Sequence, residues 1–138
     1  MVIVLMLSFA MPAFAAENGA SDDEDNPTRY QYVDVVSAAA VKKSFGFILC
    51  NSSYNCVSPN TTKVLYCYLQ RVDPNGSGGW VNYKSASVTT TDVNEIIEKT
   101  WFAPSGYAYR TYTLVVIKNS AGATLETASV TSHVIYKY

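Results

Sequence analysis

The stretch that decides the fold reads Thr100-Trp101-Phe102-Ala103-Pro104-Ser105-Gly106-Tyr107-Ala108-Tyr109-Arg110. Its first residues are β-branched and aromatic, which is typical of a strand, and its last residues begin a second aromatic strand. Between them, Pro-Ser-Gly predicts a tight change of direction, because proline fixes one backbone angle and glycine accepts positive φ. Two strands that meet at such a corner indicate a β-sandwich.

Runs of β-branched, aromatic and alternating residues on both sides of this corner predict further strands. Residues 92–100 also fit a helical face, with Asp92 and Glu95 as a capping box. Ile96-Ile97 and the aromatic pair that follows favour a turn and then a strand. The predicted strands are 30–36, 43–50, 63–72, 80–88, 95–102, 107–118 and 123–136, with a loop at 51–62. About seven short strands predict an all-β, antiparallel, immunoglobulin-like sandwich.

The N-terminal residues predict export from the cell. Residues 1–15 are almost wholly apolar and end in Ala13-Phe14-Ala15, which fits the small-x-small rule for signal cleavage. The run is shorter than the roughly 20 residues that a membrane-spanning helix needs. We therefore expect a signal peptide at 1–15, an acidic disordered linker at 16–28 and the sandwich domain at 29–138. The expected product is secreted and keeps no stable membrane anchor after cleavage.

The charges are unevenly distributed along the sequence. Residues 17–25 carry five acidic and no basic side chains, whereas from Arg29 onward ten basic residues face six acidic ones. Nucleic-acid-binding domains concentrate their positive charge in one patch or along one element. A small surplus spread over all the strands does not fit that pattern, so we expect no nucleic-acid partner.

The sequence lacks the patterns typical of an active site or a metal centre. It has one histidine, His133, and no Cys-x-x-Cys pair, so a zinc site is not predicted. The glycine-rich segment 76–79 has no following lysine and helix, which makes it a hairpin turn and not a phosphate-binding loop. We expect a protein that is not an enzyme and holds no metal or cofactor.

The three cysteines leave several pairings open. For an exported protein, one disulfide and one spare thiol is the simplest count. Cys50 and Cys56 flank the beginning of the predicted loop, so their pairing is the first choice, and Cys50–Cys67 is the second. Reduced thiols and intermolecular pairing are the remaining alternatives. Cys67 shares a strand face with Leu65 and Leu69, which predicts a thiol buried in the core.

The other face of the same strand is the candidate binding surface. If Leu65, Cys67 and Leu69 face the core, the alternating tyrosines and glutamine of this strand face outward. Such aromatic residues either pack across strands or offer a platform that stacks on sugars or anchors a protein. The candidate binding residues are Tyr66, Tyr68, Gln70 and Trp80. The predicted partner is a surface glycan or protein.

The corner resembles a motif of fibronectin type III domains. In that family a Leu-x-Pro-x-x-x-Tyr corner ties its tyrosine hydroxyl back to upstream backbone. Phe102-Ala103-Pro104 resembles the first half of the motif, with phenylalanine in place of leucine, and Ala108 stands where the tyrosine would fall, between Tyr107 and Tyr109. The resemblance implies a sandwich corner at residues 102–109.

The wider layout is similar to that of small exported single-domain proteins of unknown function from Gram-positive bacteria. The matching features are the Ala13-x-Ala15 signal end, the Leu69-Gln70-Arg71…Gly79-Trp80 hairpin and the strand 106–110. This resemblance implies a signal peptide followed by one β-sandwich and carries no activity or site. The expected function is a secreted binding module, and the alternative is a small secreted effector, a toxin or inhibitor, that acts on a neighbouring cell.

Overall fold

A computed structural model describes residues 30–137 except residues 74 and 77. The predicted signal peptide at 1–15 and the predicted acidic linker at 16–28 both lie outside the described residues. The strands are β1 (Val33–Lys42), β2 (Phe47–Cys56), β3 (Thr62–Val72), β4 (Val81–Thr90), β5 (Asn94–Phe102), β6 (Tyr107–Lys118), β7 (Thr124–Thr131) and β8 (Ile135–Lys137). A search of these described residues finds no helix that is long and apolar enough to cross a membrane.

The strands form two antiparallel sheets that pack face to face. The smaller sheet has the order β1-β2-β5, and the larger has the order β4-β3-β6-β7, with β8 paired to the start of β6. The predicted all-β sandwich is confirmed. The described chain has eight strands instead of seven, because three residues at 132–134 face two residues of β6 and interrupt the last ladder.

The register of the smaller sheet resolves the uncertain segments. Residues 94–102 form a strand that pairs with β2 along its length. This confirms the prediction of a strand, and not a helix, for this segment. The predicted loop at 51–62 is wrong in its first half, because β2 continues to Cys56. β2 is the central strand, bonded to β1 on one side and β5 on the other. These two ladders hold the polar residues 51–53 extended despite their preference for turns.

The core lies between the two sheets, where alternate residues of each strand are buried. Leu65, Cys67 and Leu69 are fully buried, which confirms the predicted inner face of β3. The centre also holds polar groups: the Thr113 hydroxyl donates to the Ser52 hydroxyl across the two sheets, at 2.6 Å. This bond satisfies two hydroxyls that are both shielded from water.

The corner at residues 103–106 is closed by a buried tyrosine. Tyr109 is fully buried, and its hydroxyl donates to the Pro104 carbonyl at 2.6 Å. This is the tyrosine-corner arrangement of immunoglobulin-like sandwiches. The fibronectin-type spacing indicates Ala108 as the closing position. The ring that closes the corner belongs instead to Tyr109, one residue later.

A stacked arginine braces the same corner. The guanidinium carbon of Arg71 lies 4.1 Å from the ring centroids of both Tyr83 and Tyr107. Both of those rings meet Tyr109 edge to face, at centroid distances of 6.4 and 6.1 Å. A cation held between two ring faces gains attraction from both π systems, so it stabilises the end of β3 against the start of β6.

A buried lysine closes the opposite end of the sandwich. Lys63 is fully buried, and its Nζ donates to the carbonyl oxygens of Ser58, Thr61 and Thr91 at 2.7 to 2.9 Å. A buried ammonium group is tolerated only when its donors find partners. The lysine therefore fastens the β2–β3 loop to the β4–β5 turn.

At the same end, a buried carboxylate binds the backbone of the residues that lead into β1. Glu126 is almost fully buried and accepts the backbone N–H groups of Gln31, Tyr32 and Val33 at 2.7 to 3.1 Å. Three successive donors form an anion-binding concavity around the carboxylate. The contact orders the residues that lead into β1.

The two ends of the sandwich carry different connections. One end, called here the corner end, holds the turn at Ser44–Gly46, the β3–β4 turn, residues 103–106 and β8. The other end, called the entry end, holds residues 30–32, the β2–β3 loop, the β4–β5 turn and the β6–β7 turn. All the described strands and core residues lie after residue 29, so the chain from Ala16 contains the whole described sandwich.

Candidate functional site: the outer face of the larger sheet

The outer face of the larger sheet carries the predicted binding residues. On β3, Tyr66, Tyr68 and Gln70 are partly exposed and alternate with fully buried residues. Trp80 precedes β4, which pairs with β3 in the hairpin. The predicted residues therefore belong to one hairpin, and each of the four is linked by contacts to other side chains of the outer face.

Three tyrosine rings form a row at the centre of this face. The rings of Tyr66 and Tyr68 are nearly parallel, with an interplanar angle of 8° and centroids 5.9 Å apart. Tyr112 of β6 is the register partner of Tyr68, and the two rings are 5.9 Å apart with a tilt of 31°. We call these three residues the tyrosine platform.

Small hydroxyl-bearing residues border the tyrosine platform. Ser87 and Ser85 of β4 lie opposite Tyr66 and Tyr68, and Thr131 of β7 lies opposite Tyr112. On β6, Leu114 lies opposite Tyr66, so the hydroxyl border covers the β4 side of β3 and the β7 side of Tyr112. Hydroxyl groups are donors and acceptors at once, so the border can hydrogen-bond to a polar ligand that rests on the rings.

A polar network extends the face toward the corner end. The Arg110 Nε donates to Gln70 Oε1 at 2.8 Å, and Gln70 Nε2 donates to Asn82 Oδ1 at 3.0 Å. The guanidinium carbon of Arg110 lies 4.2 Å from the ring centroid of Trp80. These contacts fix the orientation of the Gln70 amide and hold the indole ring against the sheet.

Partial burial changes the acid–base properties of two groups on this face. It raises the pKa of Tyr68, and the neighbouring Tyr66 and Tyr112 add to the increase. Burial lowers the pKa of the Arg110 guanidinium. Tyr68 therefore keeps its proton well above neutral pH and remains a hydrogen-bond donor.

Three residues of the site were not among the predicted ones. Tyr112, Arg110 and Asn82 reach the face through the pairing of β3 with β6 and β4. The alternation Arg110-Thr111-Tyr112 on β6 does place the arginine and the tyrosine on one side of a strand. That local signal did not say which strand would lie beside β3.

The predicted Cys50–Cys56 disulfide is wrong for this structure. Both cysteines belong to β2, and they lie six positions apart along an extended strand, which separates their Cα atoms by about 20 Å. A disulfide requires Cα atoms within about 7 Å. Cys50, Cys56 and Cys67 are all free and buried, so the alternative Cys50–Cys67 bond is not formed either.

The thiols sit in the core and away from the outer face. Burial raises the pKa of Cys50 to about 12, although the nearby Thr111 opposes the increase. The Thr111 hydroxyl is itself buried without a conventional hydrogen bond. A protonated thiol is a poor nucleophile and metal ligand. Among residues 30–137, apart from the two gaps at 74 and 77, no cluster of three or more His, Cys, Asp or Glu side chains is placed to hold a metal ion.

Comparison with known proteins adds no further information about the site. No protein-family description matches the chain, and a search of curated proteins gives no match.

Proposed function

We propose that the chain is a secreted, non-enzymatic binding module whose ligand is a surface glycan held on the outer face of the larger sheet. The observation that carries the proposal is the tyrosine platform, in which three partly exposed rings of two neighbouring strands follow one another at interplanar angles of 8° and 31°. Aromatic rings of this kind provide apolar contact area for the C–H face of a sugar ring.

The groups around the rings favour a glycan over an apolar ligand. Serine and threonine hydroxyls border the tyrosines, and the Gln70 amide is already oriented by Arg110 and Asn82. A sugar presents hydroxyls at its edge and C–H groups on its face, which match a polar border and an aromatic centre. Export supports the same proposal, because residues 1–15 have the sequence of a cleaved signal peptide.

The test is retention on insoluble cell-wall polysaccharide and on mucin-type glycans. The chain from Ala16 is compared with a Tyr66→Ala/Tyr68→Ala variant, and both are shown to be folded by circular dichroism and a cooperative urea transition. We expect the wild type to be retained and the variant to lose at least about tenfold in affinity, because two contact rings are removed.

The matched control is Val35→Ala/Ile96→Ala, which truncates two exposed apolar residues on the outer face of the smaller sheet. This control should bind as the wild type does. Failure of the folded wild type to bind any glycan would contradict the proposal and leave a protein ligand as the remaining candidate for this face. Equal losses in the variant and the control would place the site elsewhere.

A further inference from the structure

The turn between β1 and β2 projects a phenylalanine into solvent from the corner end. Phe45 has φ of 62° and a side chain that is 91% exposed. A non-glycine residue in the left-handed region is uncommon, and for a bulky residue it marks a turn or strain. This conformation directs a large apolar ring away from the protein, where it buries almost no surface.

More apolar side chains surround the base of this turn. Phe47 and Phe102 meet edge to face with centroids 5.7 Å apart, and they remain 37% and 51% exposed. Val41, near the end of β1, is 46% exposed. Contiguous exposed apolar groups of this kind mark a surface that binds something.

A lysine of β8 binds the turn to the corner by hydrogen bonds. The Lys137 Nζ donates to the carbonyl oxygens of Gly46 and Ala103, at 2.8 and 2.5 Å. Gly46 has φ of 85°, and a Cβ at this position would lie 2.9 Å from Cε1 of Phe102. The turn is thus fixed to the corner and to β8, so Phe45 is presented by a supported loop.

Positive charge is concentrated at the same end. Of the nine basic residues in the described part of the chain, seven lie in the half nearest the corner end. These are Lys42, Lys43, Arg71, Lys84, Lys99, Arg110 and Lys137. Asp73 is the one described carboxylate in the same half, and Glu98 lies at the middle of β5. The basic surplus that is spread over all the strands in the sequence is therefore concentrated toward one end by the fold.

The entry end has the opposite charge. Asp34, Asp92, Glu95 and the buried Glu126 lie there against Lys63 and Lys118, and the acidic residues of segment 17–25 precede this end in sequence. An anionic surface would attract the corner end and repel the entry end. The charge distribution thus fixes which end faces such a surface.

We propose that the corner end docks reversibly on the surface of an anionic lipid bilayer, with Phe45 inserted at the headgroup–acyl boundary. Lys42 and Lys43 directly precede the inserted turn and are both exposed, so they can pair with anionic headgroups. A polymeric anion would use the lysines but leave the ring of Phe45 in water. A bilayer accommodates both, since its interface takes apolar side chains beneath charged ones.

This contact is peripheral and separate from the tyrosine platform. The platform lies on the broad outer face of the larger sheet, whereas the docking turn lies at the end of the strands. End-on docking leaves the platform facing sideways and free to bind. The inference depends on export of the chain but not on glycan binding.

The test is co-sedimentation of the chain from Ala16 with vesicles of phosphatidylcholine alone and of phosphatidylcholine with 30% phosphatidylglycerol. We expect binding to the anionic vesicles and a large loss of binding in 0.5 M NaCl, because salt screens exposed charges.

Phe45→Asn should weaken binding at least about tenfold, since it removes the apolar ring. Asparagine accepts the left-handed backbone, so the turn is kept. Lys42→Gln/Lys43→Gln should weaken binding about 30-fold.

The matched control is Val57→Asn, at an apolar residue that is 62% exposed in the loop at the entry end. It should bind as the wild type does, and every variant should give the wild-type retention on glycans. Equal binding to neutral and anionic vesicles would overturn the proposal. Binding that depends on the lysines and not on Phe45 would overturn insertion of the ring and leave a purely electrostatic contact. Sedimentation without vesicles would assign it to self-association.

Discussion

At the scale of single residues, Tyr109 shows how one side chain secures a change of sheet. The strand before the corner belongs to the smaller sheet and the strand after it to the larger one. The hydroxyl of Tyr109 reaches back five residues to the Pro104 carbonyl, and its ring is enclosed by the core. Two interactions therefore stabilise the corner: the hydrogen bond from Tyr109 to Pro104, and the burial of the Tyr109 ring in the core.

Replacing Tyr109 with phenylalanine tests the bond without removing the ring. We expect Tyr109→Phe to lower the free energy of unfolding by about 1 kcal/mol, because the Pro104 carbonyl loses its partner while the ring contacts remain. The measurement is urea denaturation followed by fluorescence, in which the midpoint should fall at an unchanged slope. Tyr107→Phe is the control, since that residue contributes ring contacts beside the corner. An equal effect of both substitutions would contradict a special role for the Tyr109 hydroxyl.

At the scale of elements, the turns depend on two glycines in different ways. Gly106 has φ of 98° and open space around its Cα, whereas Gly46 has φ of 85° and Phe102 close by. Gly79 has open space as well, without a φ in the left-handed range. These three positions separate backbone strain from steric contact.

Alanine substitutions at these positions should rank in a fixed order. Gly79→Ala should change the free energy of unfolding by less than about 0.5 kcal/mol. Gly106→Ala should cost about 1 to 2 kcal/mol, because an L residue is strained at its φ. Gly46→Ala should cost more, since the new methyl group also contacts Phe102. The measurement is the urea midpoint of each variant, and a cost at Gly79 equal to that at Gly106 would refute the strain argument.

The same scale shows what the sequence could and could not predict. Alternation within β3 is a local property, so the outward direction of Tyr66, Tyr68 and Gln70 was correctly predicted. Their neighbours Tyr112 and Arg110 come from a strand about 40 residues further along the chain. No local pattern specifies which strands become adjacent, so the site residues contributed by neighbouring strands could not be predicted from the sequence.

The end of β2 was predicted six residues too early for a related reason. Asn51-Ser52-Ser53 reads as a loop by composition, but two neighbouring ladders hold it extended in the centre of the smaller sheet. The error carried over to the cysteines, because a loop between Cys50 and Cys56 allows a disulfide that a straight strand forbids. A tertiary contact thus overrode a local preference, and the chemistry inferred from that preference failed with it.

At the scale of the whole molecule, the buried thiols couple stability to pH. Burial raises the pKa of Cys56 to about 11, that of Cys50 to about 12, and that of Cys67 as well. In the unfolded chain a thiol titrates near pH 8.5. The folded chain therefore keeps its thiol protons to higher pH than the unfolded chain, so their contribution to stability is complete below about pH 8.5 and is lost as the pH rises toward 12.

We expect the free energy of unfolding to fall between pH 8.5 and 10, by up to about 1.4 kcal/mol per pH unit for each thiol. The measurement is the urea midpoint under reducing conditions at half-unit steps. Cys56→Ala should show a shallower fall than the wild type over this interval, whatever its stability at pH 7. A wild-type midpoint that stays constant from pH 8 to 10 would contradict the burial of the thiols.

The two ends of the described chain lie at opposite ends of the sandwich, which has a mechanical consequence. The described chain enters beside Glu126 at one end of the sandwich and leaves through β8 at the other. Tension between these points acts along the strands. The bonds of an antiparallel ladder run across the strands, so such tension shears the nine residue pairs of β1 and β2 together and does not open them one by one. The described sandwich should therefore resist tension along its long axis through all nine pairs at once.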